Sequence, residues 1–405
     1  MNIVYTKSER RSNALHDLLT LSQDAKILQG ALHTPREIAQ QPATWQMTYR
    51  LFEKHRSEIE DFLFSVGIWD DVERRPTVLL IGAGTSDYIG QSLVHVLRRQ
   101  WQCEVVAVPS TDLLTHLDDY VIPRHRYLWI SFSRSGDSSE GVALLRQAAE
   151  RFPDIRHIVI SCNSDGQMIR GTARQKNLLS LCLEDAVNDR GLAMTSSFSN
   201  MVIFGQCLAH IRTRDEYRDP FRNLVTAGES FLGTASDCAA ELAVKSYNKA
   251  CFVGSGALKA VARESALKLL ELTAGKIPTM SESGLGLRHG PMVALDQKTL
   301  FVCFVSGEEK VRRYDRDLLD EIGKKQLVPT RIAIGLSCDN ESKHLAEYGL
   351  TSPSHIAVPD HYRPPLDVIF GQLLGLFFSL HCKLQPDCPS PDGVINRVVR
   401  SVNIY

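Results

Sequence analysis

Small hydroxyl side chains cluster directly after an apolar, strand-like run in LWISFSRSGDSSEGV, residues 128–142. The apolar run stops at Ser133, and a helical pattern begins at Glu140. A strand that ends in Ser-x-Ser-Gly and leads into a helix places backbone N–H groups and hydroxyl donors at the positive end of the helix dipole. Such donors suit a phosphate group, so we predict an anion site with Ser133, Ser135 and Ser138 as ligands.

A second hydroxyl pair occupies the equivalent turn of the neighbouring strand–helix unit. In GAGTS, residues 82–86, Thr85 and Ser86 follow the glycines, and we expect Ser86 to be a further phosphate ligand. A dinucleotide-binding turn would need a third glycine where Asp87 stands, and a Walker motif would need a lysine. For SRSGDSS, an ordinary helix-capping loop remains an alternative.

Acid–base chemistry is indicated in the second half of the chain. In ARESALKLLELTAGK, the residues Glu264, Lys268 and Glu271 fall at i, i+4 and i+7, which places them on one helix face. A solvated ion-pair ladder is the alternative for this spacing. Further along, SESGLGLRHGP carries His289 in a glycine-rich loop, and histidine is a residue type that suits proton transfer near neutral pH.

These residues lie on a predicted parallel α/β architecture. From Thr77, short runs rich in Val, Ile and Leu alternate with segments of helical length, as in βαβ units. Residues 1–75 have helical patterns instead, with a start signal in TPRE. There we expect Thr34 to cap a helix, Pro35 to take its first position and Glu37 to close a capping box.

The chain repeats itself. LLIGAGTSDYIGQSL at residues 79–93 matches CFVGSGALKAVARESAL at 251–267 with an offset of 172, and HIVISCNS echoes IAIGLSCDN with an offset of 176. We therefore predict a tandem duplication, in which only the first copy keeps the SRSGDSS hydroxyls. The predicted parts are a helical segment at 1–75, a first subdomain at 76–215, a second subdomain at 245–390 and a tail at 391–405.

Composition excludes several classes of protein. The 405 residues include 23% charged residues and carry a formal net charge of -1, which argues against nucleic acid or an anionic membrane as a partner. Ten cysteines without a C-x-x-C pair suggest buried free thiols. The apolar stretch at 368–380 is shorter than the roughly 20 residues that span a bilayer. With a charged N-terminal sequence, these features predict a soluble cytoplasmic protein.

The motifs GAGTS, SFSRSGDS, NDRGLAMTSSF, ESALKLLELTAGK and RHGP, spread over residues 79–291, together resemble the sugar isomerase (SIS) domain superfamily. DRGLAMTSSF, ARESALKLLELTAGK and the ending GVINRVVRSVNIY resemble its tagatose-6-phosphate ketose/aldose isomerase type, also described as galactosamine-6-phosphate deaminase/isomerase. The resemblance covers nearly the whole chain after about residue 30. It implies two tandem doubly wound, flavodoxin-like subdomains that act on a 6-phosphosugar without a metal or other cofactor.

The resemblance also implies roles for individual residues. Glu271 would move the proton between C1 and C2, His289 would assist ring opening, and Glu264 and Lys268 would stabilise the enediol-like intermediate. The residues implied to contact the phosphate or the rest of the sugar are Thr85, Ser86, Ser133, Arg134, Ser135, Ser138, Thr195, Arg288 and Arg400.

Two residues depart from the pattern of the related glucosamine-6-phosphate synthase isomerase half. Arg134 replaces a glutamine, which would add a charged phosphate contact. Arg400 replaces a lysine, which disfavours a Schiff base because arginine does not readily form an imine.

Several alternatives stay open at this level. One site can isomerise a ketose phosphate or deaminate an amino-sugar phosphate, because both begin with the same enolisation. A non-catalytic sugar-phosphate sensor would need the serines but not Glu271 and His289, whereas a glutamine-dependent synthase would need an N-terminal cysteine domain that the sequence lacks. The apolar run at 366–384 and the related isomerases lead us to expect a homodimer or larger assembly. Whether His289 acts in the site of its own chain or of a neighbouring subunit stays open.

Overall fold

The computed structural model describes residues 3–4, 12–171, 177–336, 342–352, 356–390, 392–399 and 402–405. Its strands are β1 (Ile3–Val4), β2 (Thr77–Gly82), β3 (Val105–Pro109), β4 (Tyr127–Ser133), β5 (Arg156–Ser161), β6 (Leu178–Cys182), β7 (Lys249–Gly254), β8 (Thr279–Glu282), β9 (Thr299–Phe304), β10 (Thr330–Ile334) and β11 (Tyr348–Leu350).

The α-helices are α1 (Ala14–Thr20), α2 (Gln23–Gln29), α3 (Thr34–Ala39), α4 (Gln41–Val66), α5 (Thr85–Trp101), α6 (Ser110–Thr115), α7 (Leu117–Tyr120), α8 (Ser139–Arg151), α9 (Gln167–Arg170), α10 (Ser196–Ala209), α11 (Arg214–Ala243), α12 (Ala257–Leu272), α13 (Glu309–Lys324) and α14 (Pro364–His381). Short 3₁₀ helices occupy Val72–Arg74, Asp185–Val187, Gly286–Arg288, Pro291–Ala294 and Asp360–Tyr362.

The chain divides into two compact units. The first unit comprises residues 43–189, 196–217 and 396–405, and the second comprises 1–42, 190–195 and 218–395. The segment around 215–245, where the sequence suggested a boundary, is occupied by helix α11.

The first unit contains a five-stranded parallel sheet of order β3-β2-β4-β5-β6. Counted from its own first strand, this is the 2-1-3-4-5 order of flavodoxin-like folds. Strands β2 and β4 are almost completely buried, as their near-continuous apolar sequences predict. Trp129 of β4 belongs to the apolar core that forms against helices α6 and α8.

The second unit repeats this topology. Its sheet has the order β1-β11-β10-β9-β7-β8, and all of its pairs are parallel. Strands β7 to β11 alone again give the 2-1-3-4-5 order, which confirms the predicted tandem duplication of a doubly wound fold. The two-residue strand β1 adds an edge that the helical pattern of residues 1–75 did not predict.

Matching glycine turns mark the duplication at the level of single residues. Gly84 and Gly256 precede α5 and α12 with φ values of 55° and 58°, in the region that side-chain-bearing residues avoid. A Cβ atom on Gly82 or Gly254 would lie 2.3 Å from backbone of the following helix. In each G-x-G turn, the first glycine therefore lets the strand end approach the backbone of the following helix, and the second adopts the positive φ that the turn requires.

The capping box predicted in TPRE is wrong. Helix α3 has His33 at its N-cap, and no side chain caps it there. The Thr34 backbone N–H and hydroxyl both donate to Asp387 at 2.7 Å, while Glu37 accepts the backbone N–H of Arg190 at 2.5 Å. Partners distant in sequence outcompete the local cap, because they satisfy buried polar groups that the cap would leave unpaired.

The apolar run at 366–384 serves the interior of its own unit. Helix α14 is buried along nearly its whole length and packs against α12. Gln372, the polar residue within this run, accepts a hydrogen bond from Gln41 at 2.7 Å and donates to the Thr195 carbonyl at 3.3 Å. The run therefore belongs to the core, and it does not supply the surface from which we expected self-association.

Across the described ranges, none of the helices combines the length and apolar character needed to cross a membrane.

Candidate active site

The predicted phosphate ligands of the first unit meet at one edge of its sheet. Strands β2 and β4 are parallel neighbours where the strand order reverses, which is where doubly wound folds bind ligands. Thr85 and Ser86 open helix α5, Ser133 ends strand β4, and Ser138 is the N-cap of α8 without capping it through its side chain. The structure thus brings together the two hydroxyl sets on which the sequence argument relied.

The serine loop, residues 133–138, is held in shape by its neighbours. The Ser133 hydroxyl accepts the N–H of Gly136 at 3.0 Å, and the Ser135 hydroxyl accepts the N–H of Asp137 at 3.2 Å. Asn163, which follows β5, donates to the Ser135 carbonyl at 2.8 Å. Gly136 has a φ of 63°, and a Cβ there would crowd the Gly166 backbone at 3.1 Å. Ser133 and Ser135 therefore each accept a loop N–H through the hydroxyl oxygen, which leaves the hydroxyl proton available for donation.

Arg134 connects the serine loop to the C-terminal tail. Its guanidinium is buried and donates to the Arg397 carbonyl at 2.5 Å. Arg397 in turn donates to the Asp189 carbonyl and, at 2.8 Å, to the Asn188 side chain. Arg134 therefore has a tail-anchoring contact that the comparison with a phosphate-binding glutamine did not predict.

The motif NDRGLAMTSSF is organised by Asp189. Its carboxylate accepts the backbone N–H groups of Ser196 and Ser197 at 3.0 and 2.9 Å and the Ser197 hydroxyl at 2.5 Å. These N–H groups belong to the first turn of α10, which otherwise lacks intrahelical acceptors for them. Asp189 thus caps α10 from seven residues away. Arg397 binds the same segment through the Asp189 carbonyl and the Asn188 side chain.

The counterpart loop of the second unit, residues 305–308, holds carboxylates. Its Ser306-Gly307 pair follows strand β9 at the same distance as Ser135-Gly136 follows β4, and Ser306 likewise accepts an N–H two residues on, at 3.0 Å. The Ser306 hydroxyl donates to Asp360, and the Gly307 N–H donates to Asp360 at 2.8 Å. The Ser306 N–H donates to Asp315 at 2.9 Å. The loop of the second unit therefore binds carboxylate oxygens.

The three residues predicted on one face of α12 form a buried charge cluster. The Lys268 ammonium lies 2.5 Å from a Glu271 oxygen and 3.4 Å from a Glu264 oxygen. The side chains of Lys268 and Glu264 are 1% and 0% exposed, whereas that of Glu271 is 25% exposed. The solvated ion-pair ladder is excluded by this burial. Glu271 is the member of the cluster that reaches solvent.

Close helix packing explains why a lysine is buried at this point. Gly371 and Gly375 of α14 face α12, where a Cβ would lie 2.3 Å from the Ser265 hydroxyl or 2.9 Å from the Lys268 carbonyl. Small residues four apart let the two helix axes approach until water is excluded from Lys268. The ammonium then depends on its two carboxylates for compensation.

The glycine-rich loop places His289 at the surface of the second unit. His289 is exposed after a short 3₁₀ helix, and neighbouring Leu285 and Val293 are 49% and 91% exposed. Arg288 is ion-paired with Glu321 of α13 at 2.7 Å. Two exposed apolar side chains therefore lie close to His289 in the sequence.

Glu282 provides a second carboxylate at the edge of the same sheet. It accepts the Ser283 N–H at 2.7 Å and pairs with Lys259 of α12 at 3.0 Å. The backbone hydrogen bond and the lysine hold the pKa of Glu282 below its usual range. Glu282 is therefore a poorer proton acceptor than an unpaired carboxylate.

The remaining predicted site residues are less informative. Thr195 is buried in the second unit, where its carbonyl accepts the Gln372 amide. Arg400 lies outside the described residues. Sequence reasoning missed the contacts of Arg397, although the C-terminal motif that contains it was conspicuous, and it missed Asp360, which no local pattern distinguishes.

The chain is similar to known proteins over nearly its whole length. No protein-family model matches it. The D-galactosamine-6-phosphate deaminase AgaS of Escherichia coli is 35% identical over 380 residues, covering 92% of this chain and 95% of that protein. The crystal structure of tagatose-6-phosphate ketose/aldose isomerase from Escherichia coli superposes with a TM-score of 0.80 at 34% identity, covering 90% and 95% of the two chains. A solved Clostridium novyi NT protein superposes with a TM-score of 0.89 at 29% identity, covering 96% and 98%.

Proposed function

The chain belongs to the AgaS family of sugar-isomerase-fold proteins, and we propose that it is a 6-phosphosugar enzyme that converts galactosamine 6-phosphate to tagatose 6-phosphate with release of ammonia. The observation that carries the proposal is the charge cluster of Glu264, Lys268 and Glu271, in which Glu271 alone of the three reaches solvent. A buried charged triad that exposes one carboxylate is costly in stability and is typical of catalytic sites.

The proposal assigns phosphate binding to the serine loop. Support comes from within the chain, because the counterpart loop holds a carboxylate on the same Ser-Gly arrangement. Ser86, Ser133, Ser135 and Ser138 would donate to the phosphate, together with Thr85 and the N-terminal end of α8. Arg134 would contribute charge there while it anchors the tail, and Arg288, Thr195 and Arg400 stay assigned to the substrate by family resemblance.

The proposed reaction begins on the open-chain amino sugar, with His289 assisting the ring opening. Glu271 removes the proton from C2 and returns it to C1, so that the aldehyde becomes an enaminol and then a C2 imine. Water adds to the imine, the C–N bond breaks, and ammonia leaves as the ketose forms. Lys268 is ion-paired with Glu271 and lies close enough to stabilise negative charge that develops on oxygen. None of these steps requires a metal ion.

Two further parts of the proposal concern assembly and location. We place the protein in the cytoplasm as a homodimer or larger assembly, with His289 acting in the site of a neighbouring subunit. The support is the exposure of the His289 loop, whose apolar residues Leu285 and Val293 suit coverage by a second copy.

The test is to incubate the purified protein separately with galactosamine 6-phosphate, glucosamine 6-phosphate and tagatose 6-phosphate, and to follow ammonia and ketose together. The proposal predicts equal amounts of ammonia and tagatose 6-phosphate from the first compound. Interconversion of sugar phosphates without ammonia would make the protein an isomerase alone. Binding without any product would make it a sensor.

A further inference from the structure

The counterpart loop has the donors of an anion site, and the chain itself supplies the anion. From this arrangement we infer that the second unit contains a second, latent anion-binding site that Asp360 closes, and that a small carboxylate is the class of external ligand it takes once that side chain is removed. The inference concerns the second unit alone and does not rest on the proposed function.

Three donors of the counterpart loop end on carboxylate oxygens. Both oxygens of Asp360 are used, one by the Ser306 hydroxyl and the other by the Gly307 N–H at 2.8 Å. Asp315 takes the Ser306 N–H at 2.9 Å. Bidentate capture of one carboxylate by a hydroxyl and a backbone N–H at a strand end is the contact geometry of an anion ligand.

A buried cation completes the site. Arg363 lies 3.0 Å from Asp360 and 2.7 Å from Asp367, and its side chain is 8% exposed. It also donates to the Val305 carbonyl at 2.7 Å, which ties it to the counterpart loop. Removing the Asp360 carboxylate would leave Arg363, the Gly307 N–H and the Ser306 hydroxyl directed at a vacated position.

The surrounding charges select the kind of anion. Asp315 and Asp367 remain beside the vacated position, and Arg363 provides the opposing positive charge. Arg312 donates to the Gly307 carbonyl at 3.3 Å, but its charge is already paired with Glu309. A phosphate dianion would add more negative charge than Asp360 carries. A monocarboxylate restores the original charge and the original pair of acceptors, so the site favours carboxylate over phosphate.

There is also room for more than a bare ion. A cavity of about 560 Å³ adjoins Asp360 and Arg363 and is lined in addition by Gly307, Arg312, Thr351 and Leu366. It lies at the carboxyl edge of the second sheet, where strands β9, β10 and β11 end, which is the edge that binds ligands in doubly wound folds. A small carboxylic acid could place its anionic end at the loop and its remaining atoms in this cavity.

The test is chemical rescue of Asp360→Ala. Thermal unfolding is measured in sodium formate and in sodium chloride at the same ionic strength, with sodium phosphate as a third arm. Formate is expected to raise the Tm of Asp360→Ala by about 2 to 4 °C over chloride, and phosphate by less. Wild type should show no such difference. Asp317→Ala is the matched control, since Asp317 is an exposed residue of α13 outside the cluster.

Asp360→Asn removes the negative charge of the side chain but leaves its position filled. The amide keeps the shape of the side chain and continues to fill the position, so formate should not change its Tm. If Asp360→Ala folds only in formate, the inference is supported equally well. The inference is overturned if formate affects Asp360→Ala no more than Asp317→Ala, or if Asp360→Ala fails to fold in every buffer.

Discussion

Ser135 and Ser306 lie in similar Ser-Gly turns after strands β4 and β9 but differ in what they bind. Each accepts an N–H from two residues on, at 3.2 and 3.0 Å, but Ser306 donates its proton to Asp360. The hydroxyl of Ser306 is therefore committed within its unit, whereas the proposed function gives that of Ser135 to a phosphate. Single-residue substitutions can distinguish these two situations.

Ser135→Ala should weaken binding of 6-phosphosugars and of inorganic phosphate by about 1 to 3 kcal/mol, because a charged partner loses a hydrogen bond. Isothermal titration with each ligand measures the effect. Ser306→Ala is the control: it removes the same hydroxyl from a loop already bound to carboxylates, so the affinity for phosphosugar should not change. Equal affinities in wild type and Ser135→Ala would exclude the serine loop as the phosphate site.

The side chains of the candidate site could be predicted from the sequence, whereas their hydrogen-bond partners could not. The serines and the i, i+4, i+7 spacing on α12 identified the side chains, because hydroxyls after a strand and charges on one helix face are local patterns. The Arg134 contact with Arg397 spans 263 positions in sequence, and no local pattern encodes it. The same applies to Thr34, whose partner Asp387 replaces the expected capping box.

At the scale of elements, the C-terminal tail is connected to the serine loop by Arg134 and Arg397. Arg134→Gln should release the Arg397 carbonyl and increase amide hydrogen exchange in residues 396–399 by roughly tenfold or more, as expected for loss of one buried charged hydrogen bond. Hydrogen-exchange mass spectrometry measures this. If Arg134→Gln leaves hydrogen exchange in the tail unchanged but lowers the affinity for inorganic phosphate, Arg134 is a phosphate ligand and does not anchor the tail.

Strands β4 and β5 contain a buried pair with a pH-dependent consequence. His157 lies opposite Trp129, with ring centroids 5.4 Å apart, and burial lowers the pKa of His157 from 6.5 to about 4. Between these values only the unfolded chain binds the proton. The free energy of unfolding should therefore fall as the pH drops from 6.5 to 4, by about 3 kcal/mol at most from this residue, and then level off.

The comparison of wild type with His157→Phe isolates that contribution. Phenylalanine keeps a ring against Trp129 but cannot titrate, so the difference in pH dependence between the two proteins should be confined to pH 4–6.5. Denaturant unfolding at a series of pH values provides the measurement. Parallel stability curves for the two proteins across that range would show that His157 is protonated in the folded state as readily as in the unfolded one.

On the scale of the whole molecule, the duplication was readable because it rests on repeated turn chemistry and on apolar strand runs. The shared 2-1-3-4-5 order confirmed it. The apolar sequence of α14 led us to expect a surface for self-association. A helix that is apolar on all sides is equally typical of a protein core. Burial against α12 decides between the two, and only three-dimensional packing reveals it.

Assembly is testable by complementation. If His289 acts in a neighbouring subunit's site, mixing inactive Glu271→Gln with inactive His289→Ala should restore about one quarter of wild-type activity. Half of the randomly reassociated dimers are then hybrids with one intact site each. Native mass spectrometry verifies that hybrids form. Fully formed hybrids without activity, or an active monomer, would place His289 in the site of its own chain.

Glu271→Gln tests most directly whether Glu271 transfers the substrate proton. Glutamine preserves size and most hydrogen bonding but accepts no proton, so galactosamine 6-phosphate should bind within a few-fold of wild type while turnover falls by roughly 10² to 10⁴. The measurement is exchange of the C2 proton with deuterated solvent, followed by NMR beside ammonia release. If Glu271 is the base, exchange and turnover disappear together. Exchange at the wild-type rate in Glu271→Gln would contradict it and would leave Glu264 or Glu282 as the base.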